Sequence, residues 1–434
     1  MKDDMSWQLT GLLTAMILVL LGVMADPLFS QVLPWMTNTQ TLSAETANQF
    51  GPSIAWNSHD GEYLVVWTED YDAGSTTMIR GIRVDAEGLP TGSAFTISGT
   101  SSVDHRDSAL VAYDPGTNRY LVTWMYGEFS ENDDGVWGRL VPAGGPSSEL
   151  QEYRIAAFTD PQTPASWDIG LAADPISSRF LVVWLDNGGN VSARFVEADG
   201  TGDSSVFVIA EGTGAFTSVK AAWNHSRTEF LVAYSYSSTG DYMDTDGLGR
   251  RLSSTGTLLG SEIVIANGAQ EEWIHDVASC RGTYLVLVDV FDHSGSGTYS
   301  LDVTAVSGEG MVGGTSVIDV SSDWFPGATL AADEGAAEYL ITWSTLLSGT
   351  GWSSYGIYGA FFNADGAGEG VWSIYSTPDD YDFRSPAVAY GTSGKALCAW
   401  SYETPSPYSF DIRGRLVGNR IFGDGFESGD GSFW

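Results

Sequence analysis

Tyr63-Leu64-Val65-Val66-Trp67 returns six more times along the chain, at a spacing too regular to be chance. The returns are Tyr120-Leu121-Val122-Thr123-Trp124, Phe180-Leu181-Val182-Val183-Trp184 and Phe230-Leu231-Val232-Ala233-Tyr234. Further on come Tyr284-Leu285-Val286-Leu287-Val288, Tyr339-Leu340-Ile341-Thr342-Trp343 and the looser Ala396-Leu397-Cys398-Ala399-Trp400. Successive leucines of this motif stand 57, 60, 50, 54, 55 and 57 residues apart. A period of this length, filled with short apolar runs and turns, predicts an all-β, seven-bladed β-propeller of four-stranded blades.

Each repeat divides into four strand-like runs, in the first case Ser53–Asn57, Tyr63–Thr68, Ile79–Val84 and Ala94–Ser98. A turn separates the third and fourth runs: Asp85-Ala86-Glu87-Gly88, Glu197-Ala198-Asp199-Gly200, Ser253-Ser254-Thr255-Gly256 and Asn363-Ala364-Asp365-Gly366. Its glycine supplies the positive φ that such a turn needs. No apolar run keeps a 3.6-residue period beyond the first 25 residues, so no helix is expected. The repeated tryptophans Trp67, Trp124, Trp184, Trp343 and Trp400 occupy equivalent places and read as the packing layer between blades.

The last repeat runs through Pro386–Ala389, Leu397–Trp400 and Ile412–Val417 and lacks a fourth run, whereas Thr41-Leu42-Ser43 is a fourth run without a blade. A sheet with an unpaired edge invites association with other chains, and a ring abolishes that edge only when its last blade is complete. Residues 39–44 are therefore expected to pair with 412–417.

The units Ala55-Trp56-Asn57, Ala112-Tyr113-Asp114 and Ala222-Trp223-Asn224, followed by the Leu-Val core, an arginine and an Asp-Gly turn, resemble a loose group of secreted bacterial propeller proteins. The resemblance spans about residues 39–417 and implies the architecture, with no activity to carry over. Repeat five departs furthest, with Val288 in place of the aromatic and no arginine in Val303-Thr304-Ala305. The end, Ile421-Phe422-Gly423-Asp424-Gly425-Phe426-Glu427-Ser428-Gly429-Asp430, resembles a short C-terminal tail of exported Gram-negative proteins. It reads equally as a flexible Gly/Asp-rich tail over 418–434.

Leu12–Met24 is apolar and Val23-Met24-Ala25 offers small residues for cleavage, which suits a signal peptide over 1–25 with a linker over 26–38. Retention of that run as an anchor stays open, although it is short for a spanning helix. Secretion or display on the outer cell surface follows, with no stable membrane span after signal removal. The formal net charge is −36, with three lysines against sixteen arginines. Such a surface repels phosphate backbones and anionic lipid and excludes nucleic-acid binding. Cys280 and Cys398 lie in non-neighbouring repeats and read as buried free thiols. A monomer is expected.

Two sets of long connections share one face of such a propeller, those between second and third strands and those leading into the next blade. Functional residues gather on such loops while the strands hold the shape. Here they carry Glu69–Asp72, Glu128–Asp134, Asp241–Asp246, Asp289–His293 and Trp352–Tyr355. At the central channel the connections end in Arg106-Asp107, Trp167-Asp168, His275-Asp276, Asp323-Trp324 and Phe383-Arg384. An aromatic face that stacks on a sugar ring, beside a carboxylate that accepts from its hydroxyls, is the chemistry of a glycan site. Ligand binding is accordingly expected at Arg106, Asp107, Trp167, Asp168, His275, Asp276, Trp324, Phe383 and Arg384. Trp167 and Trp324 read equally as caps on the core between blades.

Asp133 and Asp134 precede Gly135, and Asp244 and Asp246 precede Gly247, as fragments of calcium loops. They lack the downstream bidentate glutamate, so Ca2+ is the one ion suggested and no cofactor is otherwise called for. Nucleophile elbows, zinc-spaced histidine pairs and phosphate-binding glycine loops are all missing from the sequence. The leading reading is a secreted binding or interaction module whose ligand is a glycan or a cell-surface protein. Two alternatives stay open. One is a carbohydrate-active hydrolase using Asp107, Asp168 or Asp276, since a glycosidase needs only two suitably spaced carboxylates. The other is a structural envelope or matrix protein.

Overall fold

The computed structural model describes residues 34–70, 76–99, 105–127, 134–146, 150–158, 168–186, 188–241, 243–293, 297–347, 355–376, 383–392, 394–404 and 409–419, apart from the side chains of Glu369 and Phe383. Every regular element among them is a β-strand. Blade 1 consists of Asn48–Asn57, Glu62–Asp70, Thr77–Asp85 and Phe95–Thr96, each antiparallel to the one before. The same order repeats in blades 2 to 6, whose first strands are His105–Asp114, Ile169–Asp174, Ala215–Asn224, Glu271–Cys280 and Ala328–Asp333. First strands of neighbouring blades pack side by side, including Phe383–Tyr390 of blade 7 against Asn48–Asn57 of blade 1. The seven blades thus form a closed ring.

The seam is where the sequence placed it. Gln40, Thr41 and Ser43 pair with Gly414, Arg413 and Ile412 of blade 7. Pairing also reaches back into the stretch read as a linker, with Trp35 opposite Gly418 and Met36 opposite Val417. The N-terminal segment therefore supplies the outer strand of blade 7 in two pieces. The expected signal peptide and nearly all of the C-terminal tail lie outside the described residues.

Alternation along each strand turns one row of apolar side chains toward either neighbouring blade, and seven hydrophobic clusters result, one per interface. The cluster at the seam joins Leu397 and Ile412 to Tyr63, Val65, Trp67 and the N-terminal Leu42. Trp67, Trp124, Trp343 and Trp400 are completely buried and Trp184 nearly so.

The motif's polar residues hold the turns and seams. Asn57, Asp174 and Asp333 each accept two N–H groups of the turn that follows, at 2.8–3.1 Å. Gly88, Gly200, Gly256 and Gly366 all stand at φ of 81–86°, as that turn requires. The recurring arginine of the third strand ties blades together. Arg139 donates from Nε to Leu150 O at 2.8 Å and from Nη1 to Ile97 O of the preceding blade at 2.6 Å. Arg194 does the same toward Ser204 and Ile155, and Arg415 toward Thr37 and Ile374.

Candidate functional site

The antiparallel order puts the second-to-third loops and the inter-blade connections at one end of every blade. Strands leading out of a packed ring can present side chains there without disturbing the core, so this face is free to vary. Trp167 lies outside the described residues, as do Tyr71, Asp72 and the whole loop from Glu128 to Asp133.

Two of the three candidate carboxylates, Asp168 and Asp276, are committed to neighbouring blades. Asp168 receives Lys220 Nζ at 2.5 and 2.6 Å on its two oxygens, together with the N–H of Val219 at 2.9 Å. Asp276 accepts the Thr329 hydroxyl at 2.6 Å and the N–H groups of Leu330 and Val277 at 3.0 and 2.8 Å. Burial raises its carboxyl pKa, opposed by those donors and by the charge of Lys220. Ser53 plays the corresponding part between blades 1 and 2, accepting Val111 N–H at 3.2 Å. These are clasps between inner strands. Lys220, which the sequence reading passed over, pairs directly with Asp168, and its charge also acts on Asp276.

Arg106 is buried, accepts the Thr77 hydroxyl on its carbonyl at 2.7 Å, and lays its guanidinium 5.1 Å from the Tyr126 ring centre. Asp107 is exposed and accepts Ser108 N–H at 2.6 Å. Phe383 contributes its backbone to the inner strand of blade 7, and Arg384 stands 5.7 Å above the Tyr355 ring.

The described face is richest in exposed aromatic and acidic side chains at the rim of blades 5 and 6. Trp324 is 51% exposed and Trp273 37%. The first of these places Trp324 in solvent and not over the core. Asp323 accepts Trp324 N–H at 2.9 Å and the Tyr355 hydroxyl at 2.7 Å. Glu271 accepts Trp273 Nε1–H at 2.5 Å, and its other oxygen lies 3.1 Å from His293 Nε2. Phe291 stacks on Tyr299 at 4.3 Å between ring centres. His275 Nε2 sits 3.6 Å from Asp289 Oδ2, and His275 Nε2 and Asp289 Oδ1 are both buried with no hydrogen-bond partner. Trp273 escaped the sequence reading because a lone Trp in an inner strand looks like core, whereas Asp289 was named only as part of the loop segment Asp289–His293.

Asp244 is exposed and Asp246 half-buried, and burial followed by the charge of Asp244 raises the Asp246 carboxyl pKa. Asp134 is buried. Among the described residues no three His, Cys, Asp or Glu side chains converge as a metal ion needs. Cys280 and Cys398 are both free and buried.

No protein-family model matches the sequence, and no curated protein aligns with it. Solved structures do. The NanB sialidase of Streptococcus pneumoniae aligns over 89% of this chain and 70% of its own, with a TM-score of 0.45 and 11% identity. A polysaccharide lyase described as an ulvan lyase, bound to a repeat of glucuronic acid and sulfated rhamnose, aligns over 89% and 96% with a TM-score of 0.54 and 10% identity. A protein of unknown function from Dyadobacter fermentans aligns over 89% of this chain and 99% of its own, with a TM-score of 0.55 and 10% identity. At such identities the likeness is one of fold, and it agrees with the strand pairing: the chain is a seven-bladed β-propeller.

Proposed function

We propose that this protein is a secreted binding module whose ligand is a glycan, held on the loop face at the rim of blades 5 and 6. The observation that carries the reading is the pair of exposed indoles, Trp273 and Trp324, each beside a carboxylate, Glu271 and Asp323. Exposed tryptophan stacks on the apolar face of a sugar ring, and the carboxylates accept from its hydroxyls. The unpartnered His275 Nε2 and Asp289 Oδ1 add buried polar atoms next to that surface. A polysaccharide also occupies the ulvan lyase that shares this fold. Binding is favoured over hydrolysis because Asp168 and Asp276 are taken up in holding neighbouring blades. The acidic surface, the N-terminal apolar run and the Gly/Asp-rich end support export, with a glycan of the cell surface or its surroundings as partner.

The test incubates the purified protein with soluble and insoluble polysaccharides and reads two quantities from the same tubes. Depletion of protein without release of sugar, reduced at least tenfold by Trp273→Ala or Trp324→Ala, is the expected outcome (about 1.4 kcal/mol or more). Release of new sugar ends would reassign the face to catalysis. Absence of binding across the panel would leave the structural envelope role.

A further inference from the structure

Buried carboxylates in this ring are met by a positive charge or by several donors. Glu229 receives Arg251 through Nε and Nη2 at 3.0 and 2.9 Å, Glu69 has Arg80 at 3.6 Å and Asp174 has Arg179 at 3.8 Å. Glu272 departs from this. It is 3% exposed, one oxygen takes Gly268 N–H at 2.7 Å, and the other is buried with no donor at all. The charges acting on it come from Asp246, Asp244 and Asp302, all negative. Asp302 repeats the pattern, with a buried Oδ1 that has no partner and Asp289 as its charged neighbour.

The cause is legible in the repeat. Trp67 lies opposite Arg80 in blade 1, and Trp400 opposite Arg413 in blade 7. In blade 5 the same register sets Val288 opposite Asp302. Blades 2, 3, 4 and 6 carry Trp137, Ser192, Leu248 and Tyr358 at this place, so blade 5 is the one that sets an acid there, opposite a small side chain. Glu272 N–H donates to Thr245 O at 2.8 Å, which fixes the Glu272 backbone between Asp244 and Asp246 at the loop end of blade 4. The unpartnered Glu272 oxygen therefore lies between blades 4 and 5, near their loop end. Its neighbour Trp273 points to the other side of the strand, by ordinary alternation, and stands exposed there.

An uncompensated buried carboxylate is costly unless a proton or a cation joins it. We propose that the crevice between blades 4 and 5, lined by Glu272, Asp302, Asp246 and Asp244, binds an ammonium group, and that the glycan taken by this face carries free amino sugars. The sugar part of this statement rests on the glycan reading above; the charge part rests on the crevice. Calcium needs six to eight oxygens about 2.3–2.6 Å from one point, and no such convergence exists among the described residues. An ammonium is satisfied by fewer acceptors, and one charge-assisted bond to the unpartnered Glu272 oxygen already pairs the two charges. The net charge of −36 also raises the local concentration of cations.

The experiment uses the purified full chain in near-neutral buffer, where Glu272 can ionise and a sugar amine still carries its proton. Glucosamine and its oligomers are compared with N-acetylglucosamine and its oligomers, and with calcium chloride alone, by calorimetry and thermal shift. The amine forms should bind about 10-fold or more tighter than the acetylated forms, as a lost charge-assisted bond implies. Glu272→Gln and, independently, Asp302→Asn should bring the two to parity, with far-ultraviolet ellipticity showing that each variant is folded. Equal affinity for amine and acetamide in the unaltered protein would overturn the inference and leave the glycan reading standing. Stabilisation by calcium with none by glucosamine would overturn it in favour of a metal. Glucosamine binding without binding of any polysaccharide would support the crevice and defeat the glycan reading instead.

Discussion

Arg415 donates from Nε to the carbonyl of Thr37 at 2.8 Å, joining residues 378 positions apart across the seam of the ring. The same guanidinium reaches Ile374 O of blade 6 at 2.7 Å, so one side chain holds the N-terminal strand, its own blade and the preceding blade. Arg139 repeats this geometry inside the ring without a chain terminus involved. Replacing Arg139 by Met removes two charge-assisted bonds and strands two carbonyls, a loss of about 2–3 kcal/mol readable by urea unfolding. Arg415→Met should cost a similar amount and, unlike Arg139→Met, should make the N-terminal segment susceptible to limited proteolysis.

Removing residues 1–44 strips blade 7 of its outer strand and uncovers the edge of Phe410–Gly418. Self-association should follow, since an exposed edge pairs with whatever strand it meets. Size-exclusion chromatography would show oligomers where the full chain runs as one species. A milder version, Leu42→Ala, empties a side chain that is 3% exposed and should cost about 2–4 kcal/mol.

Two tryptophans separate packing from binding. Trp124 is fully buried, and Trp124→Ala should cost about 3–5 kcal/mol through the cavity it leaves. Trp273 is 37% exposed, and Trp273→Ala should change stability by about 0.5 kcal/mol or less while abolishing depletion by the polysaccharide that binds. Melting curves and binding assays on both variants would check the contrast.

Glu272 gives the protein a pH signature. Burial, then the nearby Asp246, Asp244 and Asp302, push its carboxyl up from 4.5 to about 7, against the pull of the Gly268 N–H. The folded chain thus holds this proton more tightly than the unfolded chain. Its contribution to stability is most favourable below pH 4.5, declines between 4.5 and about 7, and levels off above. Glu272→Gln stays neutral throughout. The variant should melt about 2–4 °C above the unaltered protein in mildly alkaline buffer, and the gap should close as the pH falls through this window.

Asp168 and Lys220 form a pair at 2.5 Å with each side chain 23% exposed. Lys220→Met should leave Asp168 with backbone donors alone and lower stability by about 1–2 kcal/mol, a partly wet pair counting for less than a fully buried one. Asp168→Asn should act the same way, and a comparable loss from both by calorimetry would mark the pair as a clasp.

The repeat, its seven units and the seam were all legible in the sequence, because each depends on patterns that persist along the chain. Tyr63–Trp67 announces a buried strand, Gly88 a turn, and Thr41–Ser43 a strand in search of a blade. Pairing from Trp35 was not legible, since two residues show no alternation. The face was read only in outline. Asp168 and Asp276 were expected at the channel mouth from sequence, but sequence does not tell that they take donors from the next blade, 51 and 54 positions on. Glu272 and Asp302 were invisible individually, because an acid in a strand near a loop looks like a solvated one until its neighbours are known. The departure of repeat five was visible; its meaning needed the register of Val288 against Asp302.

The two-piece strand at the seam also sets an order of events in folding. Blades 1 to 6 are built from contiguous sequence and can assemble as the chain emerges, each on its predecessor. Blade 7 waits for both ends, and bringing Thr37 to Arg415 closes a loop of 378 positions at an entropic cost of about 5 kcal/mol. That step comes only after Phe410–Gly418 has been made and, for an exported chain, after its translocation. A polypeptide cut short before Phe410 has no partner for its first strands and stays open. Closure of the ring is therefore a proofreading step, in which only a full-length chain hides its own edges.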